Sequence, residues 1–243
     1  MVDQNIIDTL RYDSKYYGAF GRQYLSNSDI GNLLSNPNAF RKEVKKEKPL
    51  IMGAYFHTAM LEDHKLLDYN IVDVASRNSK AYKDVCPKDD IMLLQSEVDE
   101  INTWTNRLKS NFEISDLIYD EGNVYEEPMV KEIQGMLWKG KADIVHKDFV
   151  IDLKSTSDQD KFKYSAYNYN YDSQAYIYQE LFGKQMMFIT ICKKSLRLKK
   201  WYTTPEFIAS GEEKVSRAIE VYNRFFSDQS TEDINNFVEV EDL

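Results

Sequence analysis

The sequence predicts an α/β fold of the mixed α+β kind, in which helices flank a central mixed β-sheet and a helical part precedes it. Two observations support this prediction. Apolar residues recur at helical spacing before residue 112, whereas three apolar segments follow one another between residues 124 and 155. A helix, two more strands and a closing helix come next, so the core order is αβββαβ.

Short helices are predicted near the start. Ser28 can cap a helix that turns its apolar side chains inward, and Pro37 then opens a second helix that runs through Val44. Residues 49–62 form a helix of small and apolar residues with His57 at its middle. A lone histidine on such a helix is more often a satisfied core residue than a ligand, so spacing alone leaves both interpretations of His57 open.

A longer amphipathic helix is predicted over residues 89–110, where apolar side chains recur every three or four positions. We expect this helix to have a structural role only. The polar segment before it, residues 77–90, is expected to be a mobile loop.

Five strands are predicted in the second half, over residues 124–130, 136–145, 149–155, 186–192 and 196–202. The first two strands are joined around Gln134-Gly135. A tyrosine-rich helix over residues 161–181 separates the third strand from the fourth and is stopped by Gly183. Pro205 opens the final helix, which reaches about Phe226.

Two carboxylates and a lysine are predicted to meet in this sheet. Asp152 and Lys154 are alternate residues of one strand and therefore share a face. A tight reversal at Lys147-Asp148, or a symmetric four-residue loop, would place Asp143 opposite Asp152, roughly 5 Å away. A three-residue loop would instead turn one acid away. A divalent cation between the two carboxylates would remove their repulsion, so the pair predicts a metal-dependent phosphodiesterase centre; the alternative is a pair of ordinary strand-end charges.

Composition sets limits on function. At 243 residues the chain is long enough for one sizeable domain with an added helical lobe. No apolar run approaches a membrane span and the N-terminus is polar, so a soluble cytoplasmic protein without membrane partners is expected. Two distant cysteines, Cys86 and Cys192, exclude a four-cysteine iron–sulfur cluster within one chain.

The charge is unevenly distributed. Six acidic residues and no lysine or arginine follow Arg224, and without them the remainder carries 31 basic and 34 acidic residues. The net charge of −9 therefore does not exclude a nucleic-acid partner, because basic residues cluster around the acidic pair. The alternative for these lysines is an ordinary solvated surface.

Several motifs in order resemble a known superfamily. Asp143, then Asp152-Leu153-Lys154, then Gln174 and Tyr178 on a helix resemble the PD-(D/E)XK nucleases of the RecB-like branch, whose Q-x-x-x-Y motif follows the catalytic strand. Residues 25–28 and 53–62 resemble the opening motifs of the phage exonuclease VIII (RecE-type) nuclease domain. The resemblance covers roughly residues 24–190 and implies a restriction-endonuclease-like core.

The resemblance also implies a domain plan. Residues 1–112 would form the helical part that contributes one metal ligand, and residues 113–227 the nuclease core, as one continuous domain with the preceding part. Residues 228–243 would form an acidic tail, which could dock a basic patch on a partner protein or act as a DNA-mimicking brake.

Particular residues acquire roles by this resemblance. His57, Asp143 and Asp152 would bind one or two Mg²⁺ or Mn²⁺ ions, with the backbone oxygen of Leu153 as a further ligand. Lys154 would orient the attacking water or stabilise the charge that develops on the phosphate.

Further residues would surround this centre. Gln174 and Tyr178 would border the site as part of the catalytic set, and Glu62 and Glu127 are candidates for outer-shell acids. Residues that would contact DNA are Lys141, Ser155, Lys161, Lys163, Tyr171, Arg197 and Lys199. The tyrosines of the 161–181 segment could stack on unpaired bases, although packing in the core is the more common use of such residues.

The expected function is that of a phage-type exonuclease. It would digest linear duplex DNA from its ends, 5′ to 3′, and leave 3′ single strands for an annealing recombinase, in a homo-oligomeric ring like those of other family members. Two alternatives stay open: a structure-specific or single-strand endonuclease on the same fold, and a DNA-binding module without catalysis.

Overall fold

The computed structural model of the chain describes residues 3–42, 45–88 and 90–238. The α-helices in these ranges are α1 (Gln4–Leu10), α2 (Asp13–Tyr16), α3 (Asn27–Ser35), α4 (Lys48–Leu61), α5 (Lys80–Val85), α6 (Gln95–Lys109), α7 (Phe112–Ile118), α8 (Phe162–Asn168), α9 (Tyr171–Phe182) and α10 (Pro205–Phe225). The strands are β1 (Ile71–Val72), β2 (Leu93–Leu94), β3 (Val124–Ile133), β4 (Met136–Val145), β5 (Phe149–Thr156), β6 (Gln185–Cys192) and β7 (Leu198–Tyr202).

The central sheet has the order β3-β4-β5-β6-β7. β3, β4 and β5 form an antiparallel meander, β5 and β6 are parallel, and β7 returns antiparallel to β6. The parallel pair requires a crossover, which α8 and α9 supply. The predicted mixed sheet with an αβββαβ core is therefore confirmed.

Helices cover both faces of the sheet. On one face α3, α9 and α10 pack over strand residues such as Val150 and Met186. On the other face α4, α6 and α7 pack over Ile144, Ile151 and Met187. β5 is thus buried on both faces, which explains its continuous apolar run. Helices from before and after residue 112 share each of these hydrophobic clusters.

The start of α3 lies two residues earlier than expected. Ser26, not Ser28, is its N-cap, because the Asp29 carboxylate accepts hydrogen bonds from the Ser26 backbone amide at 2.8 Å and from its hydroxyl at 2.9 Å. Pro37 opens a single 3₁₀ turn, Pro37–Ala39, instead of a longer helix. The expected end of that helix, Val44, lies outside the described residues.

The predicted helix over residues 161–181 is in fact two helices. Asn170 has a φ of 56°, the left-handed region that asparagine tolerates better than most residues, and this conformation separates α8 from α9. Gly183 ends α9 with a φ of 67°, as its position predicts.

Part of the segment expected to be a mobile loop is helical, because residues 80–85 form α5. The long helix predicted from residue 89 begins only at Gln95, because Leu93–Leu94 form β2, which pairs in parallel with β1. Arg77 is held by the carboxylate of Glu97, whose oxygens also accept from the Leu94 amide at 3.0 Å and contact Lys48 at 3.0 Å. The predicted first residue of the long helix, Asp89, lies outside the described residues.

The chain after α10 folds back on that helix. Arg224 donates two hydrogen bonds to Glu232, at 2.8 and 2.7 Å, and the ring of Phe237 lies 5.9 Å from that of Phe225. The last residues of the predicted acidic tail, 239–243, lie outside the described part. Within the described residues, we find no helix that combines the length and the apolar character needed to cross a membrane.

Replacing Glu97 with glutamine is expected to lower the free energy of unfolding at pH 7 by about 3 kcal/mol. Burial alone would raise the pKa of Glu97, but Arg77, Leu94 and Lys48 lower it to about 2. Because this folded-state pKa lies below the unfolded value, the stabilisation is complete above about pH 4.5 and is lost as the pH falls towards 2. Urea unfolding of wild type and Glu97→Gln at several pH values measures this difference in the free energy of unfolding.

The exposed Glu100 on the same helix supplies the control, because Glu100→Gln removes an equal charge without a buried partner. A stability loss that is equal for both variants, or that does not vary between pH 7 and pH 3, would contradict a specific role of the buried carboxylate.

Candidate metal centre and catalytic strand

The β4–β5 hairpin has the register that the sequence predicts for a tight reversal. Ile144 pairs with Ile151 and Val145 with Val150, and the His146 amide donates to the Phe149 carbonyl at 2.9 Å. Lys147 and Asp148 form the turn. One step further along this register, Asp143 comes opposite Asp152.

The two strands separate at these acids. The ladder between β4 and β5 ends at Ile144 and Ile151, while β5 continues to pair with β6 as far as Thr156. The Leu153 amide of β5 donates to Asp143 Oδ2 at 2.8 Å, so a carboxylate takes the place of a backbone acceptor. The side chains of Asp143 and Asp152 therefore lie at a gap between neighbouring strands.

His57 reaches this gap from α4. Its Nδ1 lies 3.1 Å from Asp143 Oδ2. Burial alone would lower the pKa of His57, but the carboxylate of Asp143 raises it to about 9. Burial alone would raise the pKa of Asp143, but the charge and the hydrogen bond of His57 outweigh burial and lower it. The structure thus brings together two of the residues that the resemblance assigns to the metal.

Glu126 completes a three-residue cluster that sequence reasoning missed. One potential ligand atom from each of His57, Glu126 and Asp143 lies within 4.8 Å of the others. Burial, and then the charge of Asp143, raises the pKa of Glu126 to about 8. Glu126 has a φ of 49°, which interrupts the β3–β4 ladder between Tyr125 and Glu127.

The sequence contains a signal for Glu126. Gln134 and Gly135 both have positive φ, 51° and 78°, as a two-residue hairpin turn requires. Counting back from that turn places Glu126 opposite Asp143, and the observed pairs on either side have this register. The glutamate expected near the site, Glu127, instead accepts a hydrogen bond from Arg11 at 2.7 Å.

Asp152 is held by different partners. Gln174 Nε2 donates to Asp152 Oδ1 at 2.6 Å, and Lys154 Nζ lies 2.6 Å from Oδ2 without the angular geometry of a hydrogen bond. Burial, together with the charge of Asp143, raises the pKa of Asp152 even though Lys154 opposes the shift. Burial would lower the pKa of Lys154, but Asp152 and Asp143 raise it above its ordinary value, so this lysine stays cationic.

Tyr178 fixes the strand that carries Asp143. Its hydroxyl donates to the Lys141 carbonyl at 2.9 Å and accepts from the Lys141 amide at 3.2 Å. Gly140 permits this close approach of α9, because a Cβ there would lie 2.6 Å from Leu181 Cδ1 and 2.9 Å from the Tyr178 ring. Gln174 and Tyr178, four residues apart, therefore position both acidic strands.

Most of the side chains expected to contact DNA have partners within the protein. The ammonium of Lys141 pairs with Asp13, and Arg197 lies 3.1 Å from Asp160. Lys199 lies 3.7 Å from the centre of the Trp201 ring. The remaining partners are as follows: Lys161 lies 3.9 Å from Asp158, Lys163 lies 4.7 Å from the Tyr164 ring, and Tyr171 lies under Lys154 at 4.9 Å.

Ser155 is partly exposed, and the outer-shell candidate Glu62 lies 2.6 Å from Lys65.

The residues of this site fit a divalent cation. Carboxylate oxygens and one imidazole are ligands that Mg²⁺ and Mn²⁺ accept, with the imidazole favouring Mn²⁺. His57, Glu126 and Asp143 would hold the ion, beside Asp152, whose Oδ2 makes no hydrogen bond. Without an ion, protons on His57 and Glu126 offset part of the negative charge of this cluster.

Comparisons with known proteins concern the family and the fold of the chain. Residues 33–234 match the model of a family described as "PDDEXK-like domain of unknown function (DUF3799)". A crystal structure named "Putative exonuclease", from Eubacterium rectale, has the same fold: its TM-score is 0.62 at 16% identity, over 96% of this chain and 95% of that chain. A phage-related exonuclease structure from Haemophilus somnus 129PT covers 83% of this chain and 94% of its own at 17% identity, with a TM-score of only 0.36. No curated protein matches the chain.

Replacing Glu126 with glutamine is expected to weaken Mn²⁺ binding at least about tenfold, because one charged ligand is lost from the cluster. Isothermal titration with Mn²⁺ measures the affinity. Its neighbour Glu127 provides a matched control, since Glu127→Gln removes the same charge one residue away and disturbs only the contact with Arg11. Equal affinities for wild type and Glu126→Gln would contradict the role of Glu126 as a ligand.

Metal binding is also expected to depend on pH. With a pKa of about 9, His57 carries a proton at neutral pH that a cation must displace. The affinity for Mg²⁺ should therefore rise about tenfold per pH unit for each proton displaced, from pH 7 up to about 9, and then level off. Titration in two buffers of different ionisation enthalpy counts the protons released; a count of zero at pH 7 would contradict ligation by His57.

Proposed function

We infer, because this chain belongs to the family of PDDEXK-like domains matched over residues 33–234, that it is a divalent-metal-dependent deoxyribonuclease. The PD-(D/E)XK resemblance of the sequence motifs is confirmed by that match and by the shared fold. One arrangement of side chains is the main support for the proposal. A buried aspartate, Asp152, is held between Lys154 and Gln174 directly beside a cluster of His57, Glu126 and Asp143.

The bound cation would lower the pKa of a coordinated water and offset charge on the scissile phosphate. The chain supplies the rest. Gln174 holds the Asp152 carboxylate in one orientation at 2.6 Å, and the Leu153 amide does the same for Asp143 at 2.8 Å. Neither acid has to reorganise when substrate binds, which keeps the ligand geometry fixed.

Lys154 is the residue suited to the phosphate. Its ammonium remains protonated because Asp152 and Asp143 raise its pKa, and the ring of Tyr171 lies 4.9 Å from its Nζ. A fixed cation stabilises the negative charge that accumulates on the phosphate oxygens in the transition state. The same ammonium can orient the attacking water towards phosphorus.

The finer parts of the proposal concern substrate and partners. We propose attack on the ends of linear duplex DNA, 5′ to 3′, with Mg²⁺ or Mn²⁺ as cofactor and a single-strand annealing recombinase as partner in the cytoplasm. The likeness of residues 25–28 and 53–62 to RecE-type motifs supports this choice of substrate, cofactor and partner. A homo-oligomeric ring would retain DNA by topology, which suits a chain with a net charge of −9.

Linear and covalently closed duplexes of the same sequence provide the test. In Mg²⁺ or Mn²⁺ the wild-type protein should degrade the linear DNA and leave the closed circle intact, because an exonuclease requires an end. Lys154→Met should lower the rate of the linear reaction about 10²- to 10³-fold by removing the fixed cation. Asp152→Asn should cause a loss at least as large.

A matched control comes from Lys131, an exposed lysine on β3 that pairs with Glu180 at 3.1 Å. Lys131→Met removes one positive charge far from the acids and should leave the rate within about twofold of wild type. Cleavage of the closed circle would favour the endonuclease alternative. Hydrolysis that is unchanged in Lys154→Met would exclude the proposed catalytic role.

A further inference from the structure

An aromatic contact leads from the catalytic lysine to the surface. Lys154 Nζ lies 4.9 Å from the centre of the Tyr171 ring, and the centre of the Tyr169 ring lies 5.9 Å from that of Tyr171. The ring of Tyr171 stacks on the ring of Phe188, with their centres 5.6 Å apart, and this contact fixes the position of Tyr171. Tyr169 is 66% exposed. Tyr171 and Tyr169 therefore form a continuous line of contacts from Lys154 to solvent.

The break between α8 and α9 creates this pair of rings. In a continuous helix, residues two apart point in different directions and do not face each other. The left-handed conformation of Asn170 changes the chain direction between Tyr169 and Tyr171 and brings their rings together. The tyrosine pair is thus a product of the backbone conformation and not of helical spacing.

The break itself is held by several contacts. The Asn170 carbonyl accepts from Asn27 Nδ2 at 3.1 Å and from the Ser173 hydroxyl at 3.0 Å. The Asn170 side-chain oxygen accepts from Lys214 Nζ at 3.0 Å. Lys214 is tied in turn to the buried Asp172 at 2.9 Å. A left-handed asparagine costs some stability, and these bonds offset that cost while keeping Tyr169 at the surface.

Other exposed tyrosines of this region contact side chains away from the catalytic strand. The ring of Tyr164 has the Lys163 ammonium at 4.7 Å, and the ring of Tyr167 packs edge-on against Phe207 at 5.0 Å. Tyr169 contacts Tyr171, the ring that adjoins Lys154. Tyr169 is therefore the exposed tyrosine whose ring is connected to the catalytic strand.

We propose that Tyr169 and Tyr171 form a stacking platform for an unpaired nucleobase next to the phosphodiester that Lys154 addresses. This inference rests on the proposed nuclease function and specifies its substrate: the strand enters the site unpaired, as a single strand or a frayed end. Inside a duplex, both faces of a base are covered by neighbouring bases, so such a platform is open to an unpaired base or to a frayed end. Stacking is tolerant of sequence because every base has a π face.

Binding measured without hydrolysis tests the platform. Full-length protein in Ca²⁺ is titrated with a single-stranded oligonucleotide that carries 2-aminopurine near its end, and with a covalently closed duplex circle, which has no end that could fray. Tyr169→Ala is expected to weaken binding of the single strand at least about fivefold and to reduce the quenching of 2-aminopurine. Tyr169→Phe keeps the ring and should bind within about twofold of wild type, whereas binding of the closed duplex should change little in either variant.

Tyr164→Ala is the matched control, because Tyr164 is equally exposed, at 64%, on the neighbouring helix but lies under Lys163. It should leave single-strand binding unchanged. If Tyr169→Ala binds the single strand as wild type does, or if Tyr164→Ala weakens binding equally, the platform is excluded while the nuclease proposal stands, provided that wild type degrades linear DNA in Mg²⁺. If wild type neither binds nor degrades DNA, the nuclease proposal fails and the platform fails with it.

Discussion

The hydrogen bond from the Leu153 amide to the Asp143 carboxylate is the interaction on which the rest of the site depends. It occurs where β4 and β5 would otherwise continue their ladder, and it satisfies a buried amide that would lose its strand partner. Because a side chain accepts this bond, the two strands can separate and still remain linked. In the gap that results, the imidazole of His57 reaches Asp143, and the charge of Asp143 acts on Asp152.

Charge balance explains why such a gap is stable. Three carboxylates, those of Glu126, Asp143 and Asp152, are placed in a largely buried region, and two cationic groups, His57 and Lys154, lie among them. Isolated buried charges are costly, so the cluster is stable only with its partners, with bound protons or with a cation. The pKa values of His57 and Glu126 are raised, so bound protons would offset part of this negative charge.

The predictable parts of the structure are those in which turn type and strand period act together. The β4–β5 register and the sheet topology follow from apolar runs and tight turns, and the β3–β4 turn contains the register that identifies Glu126. What could not be predicted depends on tertiary contacts. The split at Asn170 requires Asn27 and Lys214, which are distant in sequence, so local periodicity indicated one continuous helix. The N-cap at Ser26 is a local feature instead, because Asp29, three residues later, bonds to it as in a capping box.

Under the proposed nuclease function, an acidic chain must hold DNA by more than phosphate charge. Lys141 and Arg197, which the sequence suggested as phosphate contacts, are neutralised by Asp13 and Asp160, so each would have to exchange a carboxylate for a phosphate. Such an exchange yields little net attraction, and counterion release would contribute little to affinity. Contact between a base and an exposed aromatic ring does not require a net positive charge. For a chain of this composition, a ring beside Lys154 is therefore a more effective source of binding energy than further lysines, and it acts at the strand that is to be cut.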